Sequence, residues 1–359
     1  MIVHRNQVVS RRLHTSDRSR TRRDTLTVML RRLLQRRRQP NPAAPASASL
    51  AEAAPEPPRL EASTTARRDG EDDASYLQRL AHLHLEPEIA ARWLELLRPA
   101  IRLAAAQPAT PTVARLGGDP LVPAGFTWPV WDGHGPLSYI GEIDLAALAA
   151  TGLPLDIALP RNGRFLIFYF DGSYDDFDGI VGTWDSSSLA GQRLLHLTDE
   201  PSTCAPMTAP ANVPVFSEHL YAARPMMTFP NWEHPALRAE FKDPAQDDRS
   251  FMDHPVNAGD FAHSLFEMHD DAPMHQIGGW AWPDQGPVEN EVAGAVLDLG
   301  SDWTDPRRDE EAARWTLLVQ IDSDNDMMWG DVGKLYWLAR PADLDRADLS
   351  RVSFTWQCG

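Results

Sequence analysis

Apolar residues at helical spacing predict two helices at the start of the folded region. The first follows N-cap candidates at Asp72, Asp73 and Ser75, and its apolar positions are Tyr76, Leu77, Leu80 and Leu83. The second opens at Pro87, which the first turn of a helix tolerates, and its apolar stripe is Ile89, Trp93, Leu96 and Leu97. We expect Pro99 to end or kink this helix, with a short helical tail through Leu103.

From Leu116 onward the pattern changes to short apolar segments separated by Gly and Pro, which is typical of strands. Apolar residues alternate over 137–145, and an unbroken apolar run over 165–170 is typical of a strand covered on both faces. We expect 137–145 to pair antiparallel with 163–170, and 315–322 to pair antiparallel with 333–339. The predicted class is α+β, with N-terminal helices followed by a mostly antiparallel β domain.

A series of landmarks occurs twice in the same order. The first set is Gly117-Gly118, Trp128-Pro129, a strand ending in Glu142-Ile143-Asp144, and then Gly163-Arg164 opening a second strand. The second set is Gly278-Gly279, Trp282-Pro283, a strand ending in Gln320-Ile321-Asp322, and then Gly333-Lys334. This order predicts a domain built from two similar halves, about 112–215 and 270–345. Coincidence among short β patterns is the alternative.

Charge is divided unevenly between the start of the chain and the rest. Residues 1–40 contain 12 Arg and two acidic residues, whereas the remainder holds 22 basic and 49 acidic residues, a net charge of −27. Residues 40–60 are rich in Ala and Pro, which offer little surface to bury. We therefore predict a basic, then Ala/Pro-rich, disordered tail over 1–70 and a folded domain over 71–359. The tail is either an electrostatic anchor or a dispensable extension.

The acidic body narrows the classes of partner. It repels nucleic acid and anionic membranes, so nucleic acid is expected only at the Arg-rich tail, if at all, and a protein partner is expected to be basic. No run of about 18 apolar residues is present, and Cys204 and Cys358 match no metal spacing. We expect a cytoplasmic protein with reduced thiols and no membrane association.

The repeated landmarks also carry a family resemblance. The run Leu-Gly-Gly-Asp-Pro at 116–120, with Trp128-Pro129 behind it, resembles the opening signature of YwqG-like proteins. The stretches 318–324 and 328–333 are similar to that family's most recognisable block, and His275-Gln276 before the second Gly-Gly is similar to a third. Together these blocks span roughly residues 80–345.

The resemblance implies a bacterial, mostly single-domain family of mixed α and β structure. It implies no assigned activity, and it brings no catalytic residue to carry over. One departure is visible, because this chain has Glu142 where the first strand of the family usually carries Gln, whereas Gln320 keeps the usual residue. An amide-mediated role at the first position is therefore in doubt.

Motifs for metal binding are incomplete. Residues 322–326, Asp-Ser-Asp-Asn-Asp, are similar to the start of a calcium loop, but Met327 stands where Gly is needed and Gly333 where a bidentate Glu is needed. The histidines at 263, 269 and 275 are too far apart for a zinc motif. We predict no metal and no cofactor, and read the acidic run as a turn between strands.

Two hypotheses about function remain open. The first is a binding or protein-interaction module in which the two Trp-Pro loops rim an aromatic cleft between the repeats. The second is a hydrolase-like enzyme, dependent on carboxylates or a metal, that acts in the same cleft through Glu142, Asp144, Asp322 and Asp331. The candidate cleft residues are Trp128, Glu142, Asp144, His275, Gln276, Trp282, Gln320, Asp322, Trp329 and Asp331.

Overall fold

The computed structural model describes residues 65–172, 179–268, 273–300 and 302–359. The prediction for the tail falls almost entirely on residues 1–64, which lie outside the described residues. The two N-terminal helices are present as α1 (Asp73–His84) and α2 (Pro87–Leu94). Asp72 is the N-cap of α1, because its carboxylate accepts a hydrogen bond from the Ser75 N–H at 2.7 Å.

The predicted helical tail through Leu103 is wrong. Arg98–Ala105 forms strand β1, which lies in the middle of the main sheet. Ile101 and Leu103 belong to the hydrophobic core, whereas Arg102 alternates with them and lines a cavity. This period of two is the signature of a strand, and pairing on both sides outweighs the helical propensity of an Ala- and Leu-rich segment.

The fold is α+β, as predicted, with helices arranged around a large antiparallel sheet. Its ten strands follow the order β14-β13-β12-β11-β1-β10-β2-β6-β7-β8. After β1, these strands are β2 (Ala114–Leu116), β6 (Ser138–Asp144), β7 (Arg164–Tyr169), β8 (Gln192–Leu197), β10 (His219–Thr228), β11 (Gln276–Ile277), β12 (Thr316–Asp322), β13 (Lys334–Ala339) and β14 (Ser353–Gln357).

Two small two-stranded pairs and seven further α-helices are described outside the main sheet. The pairs join β3 (Leu121–Val122) to β9 (Ala205–Pro206), and β4 (Val130–Trp131) to β5 (Gly135–Pro136). The helices are α3 (Leu145–Ala150), α4 (Pro235–Phe241), α5 (Asp248–Met252), α6 (Gly259–Glu267), α7 (Val288–Val296), α8 (Arg307–Ala312) and α9 (Pro341–Leu344).

The sheet curls until its two ends meet. The Trp337 indole N–H on β13 donates to the side-chain oxygen of Gln192 on β8 at 2.8 Å, although these strands lie near opposite ends of the order. Tyr169 on β7 likewise packs against Phe354 on β14, with 5.5 Å between ring centroids. The curled, nearly barrel-like sheet encloses the main core on its concave face.

Helices cover parts of the convex face in two separate clusters. The first packs α1, α2 and α6 around Trp93, Phe229 and Phe261. The second packs α7 through Val288 and Val292 on the outer side chains of β12 and β13. The convex face of β12 and β13 is therefore as dry as the interior, and every residue of both strands is buried.

Both predicted strand pairs are confirmed. β6 pairs antiparallel with β7, and β12 pairs antiparallel with β13. The register places Asp144 opposite Arg164 in the first pair and Asp322 opposite Lys334 in the second. Each pair has one irregularity, which skips one residue, Ile140 in β6 and Leu318 in β12.

Candidate functional site

A cavity of about 640 Å³ opens beside the middle of the sheet, where β1 and β10 pair. Residues 102–106 supply one wall, residues 218–221 and Arg224 supply another, and Pro273, Asp324 and Asn325 complete the lining. Three successive alanines, 104 to 106, leave this space open because their side chains are short. The volume lies within the range typical of small-molecule sites, about 300–1,000 Å³.

Two arginines face each other across the seam of this cavity. Arg102 on β1 and Arg224 on β10 are directly opposite partners in the antiparallel register. Arg102 also donates to the backbone carbonyl of Pro273 at 3.3 Å, which holds its guanidinium beside the cavity. Arg102 and Arg224 therefore bring two guanidinium groups to the same part of the cavity wall.

The acidic wall of the cavity is built on a buried histidine. His275 is fully buried, and its Nδ1 accepts a hydrogen bond from the Asp322 backbone N–H at 3.0 Å. The proton of the neutral ring therefore lies on Nε2, which donates to Oδ2 of Asp324 at 3.2 Å. Tyr221 donates its phenol hydrogen to the same carboxylate oxygen and packs edge-on against the His275 ring, with centroids 5.1 Å apart.

These contacts separate the acid–base behaviour of Asp324 and Tyr221. The hydrogen bonds from His275 and Tyr221 lower the pKa of Asp324, because both donors favour the ionised carboxylate. Burial, together with the neighbouring carboxylate, raises the pKa of Tyr221. The wall thus presents a fixed carboxylate and a neutral phenol at neutral pH.

The acidic turn after β12 connects distant parts of the fold. The Asp322 carboxylate accepts from the backbone N–H groups of Met274, at 2.7 Å, and Ser323, at 2.8 Å. At the other end of the turn, Asp326 accepts from the N–H and hydroxyl of Ser217, at 2.8 and 2.9 Å. These carboxylates are therefore engaged by protein donors, and the turn bridges β12 to the start of β10.

The two predicted amides are brought together with the histidine. Gln320 is fully buried and donates to the Met274 carbonyl at 2.7 Å, while its oxygen accepts from the Trp282 N–H at 3.0 Å. Gln276, which pairs with Gln320 in the sheet, donates to the carbonyls of Gly278 and Trp280. Their polar atoms satisfy the backbone around β11, and they do not line the cavity.

The first predicted polar pair lies elsewhere on the sheet. Glu142 accepts from Arg164 at 2.9 Å and is paired with Arg115 at 3.3 Å. Arg115 also binds Glu218, an acidic residue of the cavity wall, at 2.9 Å. Asp144 is the N-cap of α3, accepting from the Ala147 N–H at 2.9 Å.

The predicted aromatic residues are distributed over separate packing regions. Trp128 packs edge-on against Phe168 in the main core, whereas Trp282 packs against Phe229 in the cluster beneath the N-terminal helices. Trp329 is buried and donates its indole N–H to the Asp322 carbonyl at 3.1 Å. None of these three lines the cavity. Asp331 is exposed, and its carbonyl accepts from the Gly359 N–H.

Of the other histidines considered, His263 is largely exposed and lies 3.2 Å from Glu267, while His269 lies outside the described residues. Within the described ranges, no group of three or more His, Cys, Asp or Glu is arranged to hold a metal ion. In that same part of the chain, no helix is long and apolar enough to cross a membrane.

The sequence interpretation missed most of the cavity. Arg102, Arg224, Tyr221 and Asp324 were not among the candidate residues, although His275 and Asp322 adjoin them. One usable signal exists, since Arg102 alternates with the apolar Ile101 and Leu103 and so marks a strand with a polar face. No local pattern reveals that β1 pairs with β10.

A comparison with protein-family models identifies the family of this chain. The model described as "Domain of unknown function (DUF1963)" matches residues 114–358. The chain belongs to this family. The DUF1963 range includes Tyr221, Arg224 and Asp324, but it begins after β1 and so excludes Arg102. No curated protein matches the sequence.

Proposed function

We propose that this DUF1963 protein is a binding module whose ligand enters the cavity between β1 and β10. The observation that carries the proposal is the cavity itself, which combines about 640 Å³ of space with paired arginines and the hydrogen-bonded carboxylate of Asp324. Few, convergent polar groups around an open volume are what a small-molecule site requires.

The arrangement favours binding over catalysis. Both nitrogens of His275 are engaged, and its ring is fully buried, so it orients Asp324 instead of meeting a substrate. Asp324 itself accepts hydrogen bonds from two neutral donors, which makes it a weak base and a weak nucleophile. The alternative, a hydrolase-like enzyme, is favoured only by the presence of a carboxylate and a phenol in one cavity.

We also propose that the domain consists of two related halves, about 112–215 and 270–345. The pairing of β1 with β10 supports this proposal, because the two strands have similar neighbours on either side of the opposed pair Ala104–Ala222. On β1, the residue three positions before Ala104 is Ile101, which is paired with Ile277 of β11. On β10, the residue three positions before Ala222 is His219, which is paired with Leu116 of β2. Ile277 and Leu116 each directly precede a Gly-Gly pair.

Hydrogen bonding at the two Gly-Gly pairs adds support for the repeat. Gly117 donates to the carbonyl of Ile140, and Gly278 donates to that of Leu318. Those acceptors are the residues skipped in the two strand registers. An experimental structure whose strand pairs did not superpose with Asp144 on Asp322 would overturn the repeat.

The binding function can be tested with a substitution that fills the cavity. Ala105 is exposed and lines the open space, so Ala105→Trp places an indole in it without disturbing the core. Ala146→Trp is the matched control, because Ala146 is an exposed alanine on α3 away from the lining. Native mass spectrometry of the full chain should show a co-purifying small molecule in wild type and control but not in Ala105→Trp. Equal ligand loads in all three proteins would contradict the proposal.

The proposals for partners and location rest on charge alone. We propose a cytoplasmic protein whose Arg-rich residues 1–40 supply any affinity for nucleic acid, and whose acidic body favours a basic protein partner. Deleting residues 1–40 should then abolish nucleic-acid binding, and raising the salt concentration should weaken it steeply. Binding that survives the deletion would place the site in the acidic body instead.

A further inference from the structure

We propose that Asp324 forms a cation subsite, so that the ligand of this cavity is an organic ammonium ion with an apolar body. This inference rests on the binding function proposed above and names the class of its ligand. It starts from three features of the cavity. A carboxylate lines it without a counter-charge, a phenol and a buried imidazole hold that carboxylate in place, and apolar side chains form part of the wall.

No cationic side chain balances the charge of Asp324. Its Oδ2 accepts from Nε2 of His275 at 3.2 Å and from the hydroxyl of Tyr221. The His275 ring is neutral, because its Nδ1 accepts from the Asp322 N–H, and the phenol is neutral as well. Among the described residues, no arginine or lysine forms an ion pair with Asp324, whose side chain is partly exposed. The carboxylate therefore keeps its negative charge at the cavity wall.

The two donors also keep this carboxylate ionised and in position. Their hydrogen bonds lower the pKa of Asp324, and burial raises the pKa of Tyr221, so that the phenol remains a donor at neutral pH. Hydrogen bonds between an N–H cation and a carboxylate are about twice as strong as those between neutral groups. A fixed, ionised carboxylate is therefore a suitable acceptor for the ammonium group of a ligand.

The neighbouring carboxylates are engaged by other groups of the protein. Asp322 and Asp326, in the same turn, accept hydrogen bonds from backbone and hydroxyl groups and lie outside the lining. Glu218, the other carboxylate of the lining, is paired with Arg115 at 2.9 Å. Of the carboxylates in the described lining, Asp324 is therefore the one available to a cationic ligand.

The arginines of the cavity belong to a different part of its wall. Arg102 and Arg224 are opposite each other in the β1–β10 register, and Arg224 stands three residues from Tyr221 along β10, a rise of about 10 Å. In the part of the chain that the structure describes, neither arginine forms an ion pair with Asp324. Because Asp324 is bonded to Tyr221, the ammonium group of a ligand would lie at the Tyr221 end of the wall.

The apolar part of the lining fits the body of such a ligand. Residues 104–106 are alanines, and Leu220, which adjoins Tyr221, is 46% exposed in the wall. Covering apolar side chains of this kind is favourable, because it removes their surface from water. An ammonium ion attached to an apolar body would therefore satisfy both the carboxylate and the wall beside it.

The experiment is isothermal titration calorimetry of the dialysed full chain at pH 7 with phenethylamine and, separately, with phenethyl alcohol. The amine is protonated at this pH, as a lysine side chain is, and the alcohol is its neutral isostere. Wild type should bind the amine saturably and at least tenfold more tightly than the alcohol. Asp324→Asn keeps an oxygen that can accept from His275 and Tyr221, but it should bind the two probes equally. Asp326→Asn, the matched control in the same turn, should keep the wild-type preference, because Asp326 lies outside the lining.

The preference between the two probes separates a binding role of Asp324 from a structural one. If Asp324→Asn weakened the binding of both probes by the same factor, Asp324 would be structural and the proposal would be overturned. Equal affinity of wild type for the amine and the alcohol, or no binding of the amine, would overturn it without reference to any variant. If the co-purifying molecule removed by Ala105→Trp is neutral or anionic, the binding module stands and the cation subsite falls.

Discussion

The strand pairs β6–β7 and β12–β13 share a pairing register and differ in what surrounds their polar residues. At equivalent positions of the register stand Glu142, opposite Leu166, and Gln320, opposite Tyr336. Glu142 is partly exposed and lies between two arginines, whereas Gln320 is fully buried and bonded to backbone groups. Similar backbones therefore hold a charged side chain where counter-charges are within reach and an amide where the available partners are backbone groups.

The difference follows from what covers each convex face. Helix α7 packs on β12 and β13, so Gln320 is removed from water, and its amide is satisfied by the backbone groups of Met274 and Trp282. The face that carries Glu142 keeps access to solvent, and Arg115 and Arg164 balance its charge. Asp144 and Asp322 diverge as well, because the first caps a helix and the second braces the turn that leads to the cavity.

We expect the largest loss of stability when Gln320 of the covered strand pair is replaced by Glu, the residue that stands at the equivalent position 142 of the open pair. Gln320→Glu removes the donor to the Met274 carbonyl and places a carboxyl group at a fully buried position. We expect a loss of about 3 kcal/mol or more in the free energy of unfolding at pH 7, measured by urea denaturation. An unchanged urea midpoint would show that the two environments are equivalent, contrary to this comparison.

A pH effect should distinguish the covered face from the open one. Glu291 on α7 is half-buried, and its carboxylate accepts hydrogen bonds from two side chains of β14, Gln357 at 2.9 Å and Thr355. Burial raises its pKa from 4.5 to about 7, so the folded protein holds a proton that the unfolded chain releases. Its contribution is complete below pH 4.5 and is lost as the pH rises toward about 7.

Glu291→Gln should therefore remove part of the pH dependence. Wild-type stability should fall by about 2–3 kcal/mol between pH 4.5 and 8 through this group, an order of magnitude set by the size of its pKa shift. The variant should lack that fall when unfolding by urea is measured across the range. A variant with the wild-type slope would show that Glu291 is not desolvated between α7 and β14.

Parts of this comparison could be read from the sequence and parts could not. Apolar strand patterns over 137–145 with 163–170, and over 315–322 with 333–339, predicted both strand pairs, because pairing between neighbours in sequence depends on local pattern. The same approach wrongly predicted a helical tail through Leu103 where the chain forms strand β1, since that strand is defined by partners far along the chain. The cavity was missed for the same reason, because its arginines meet only through the β1–β10 register.

The reciprocal exchange on the open face should cost less than the one on the covered face. Glu142→Gln keeps an oxygen that can accept from one arginine but removes the charge facing Arg164, whose side chain is 3% exposed. We expect a loss of about 1–2 kcal/mol in urea denaturation, because a buried guanidinium keeps only part of its partner. If this variant proves more stable than wild type, Glu142 is a cost that Arg115 and Arg164 do not offset.

The smallest effect should come from the aspartate that only caps a helix. Asp144→Ala removes the acceptor for the Ala147 N–H at the start of α3, and caps of this kind contribute about 1 kcal/mol. Asp144→Ser, which restores a capping oxygen, should recover most of the loss. Because Asp144 lies outside the cavity lining, neither variant should change the co-purifying molecule. A change in ligand binding with Asp144→Ala would mean that this end of β6 communicates with the cavity, and the division between a structural and a functional aspartate would fail.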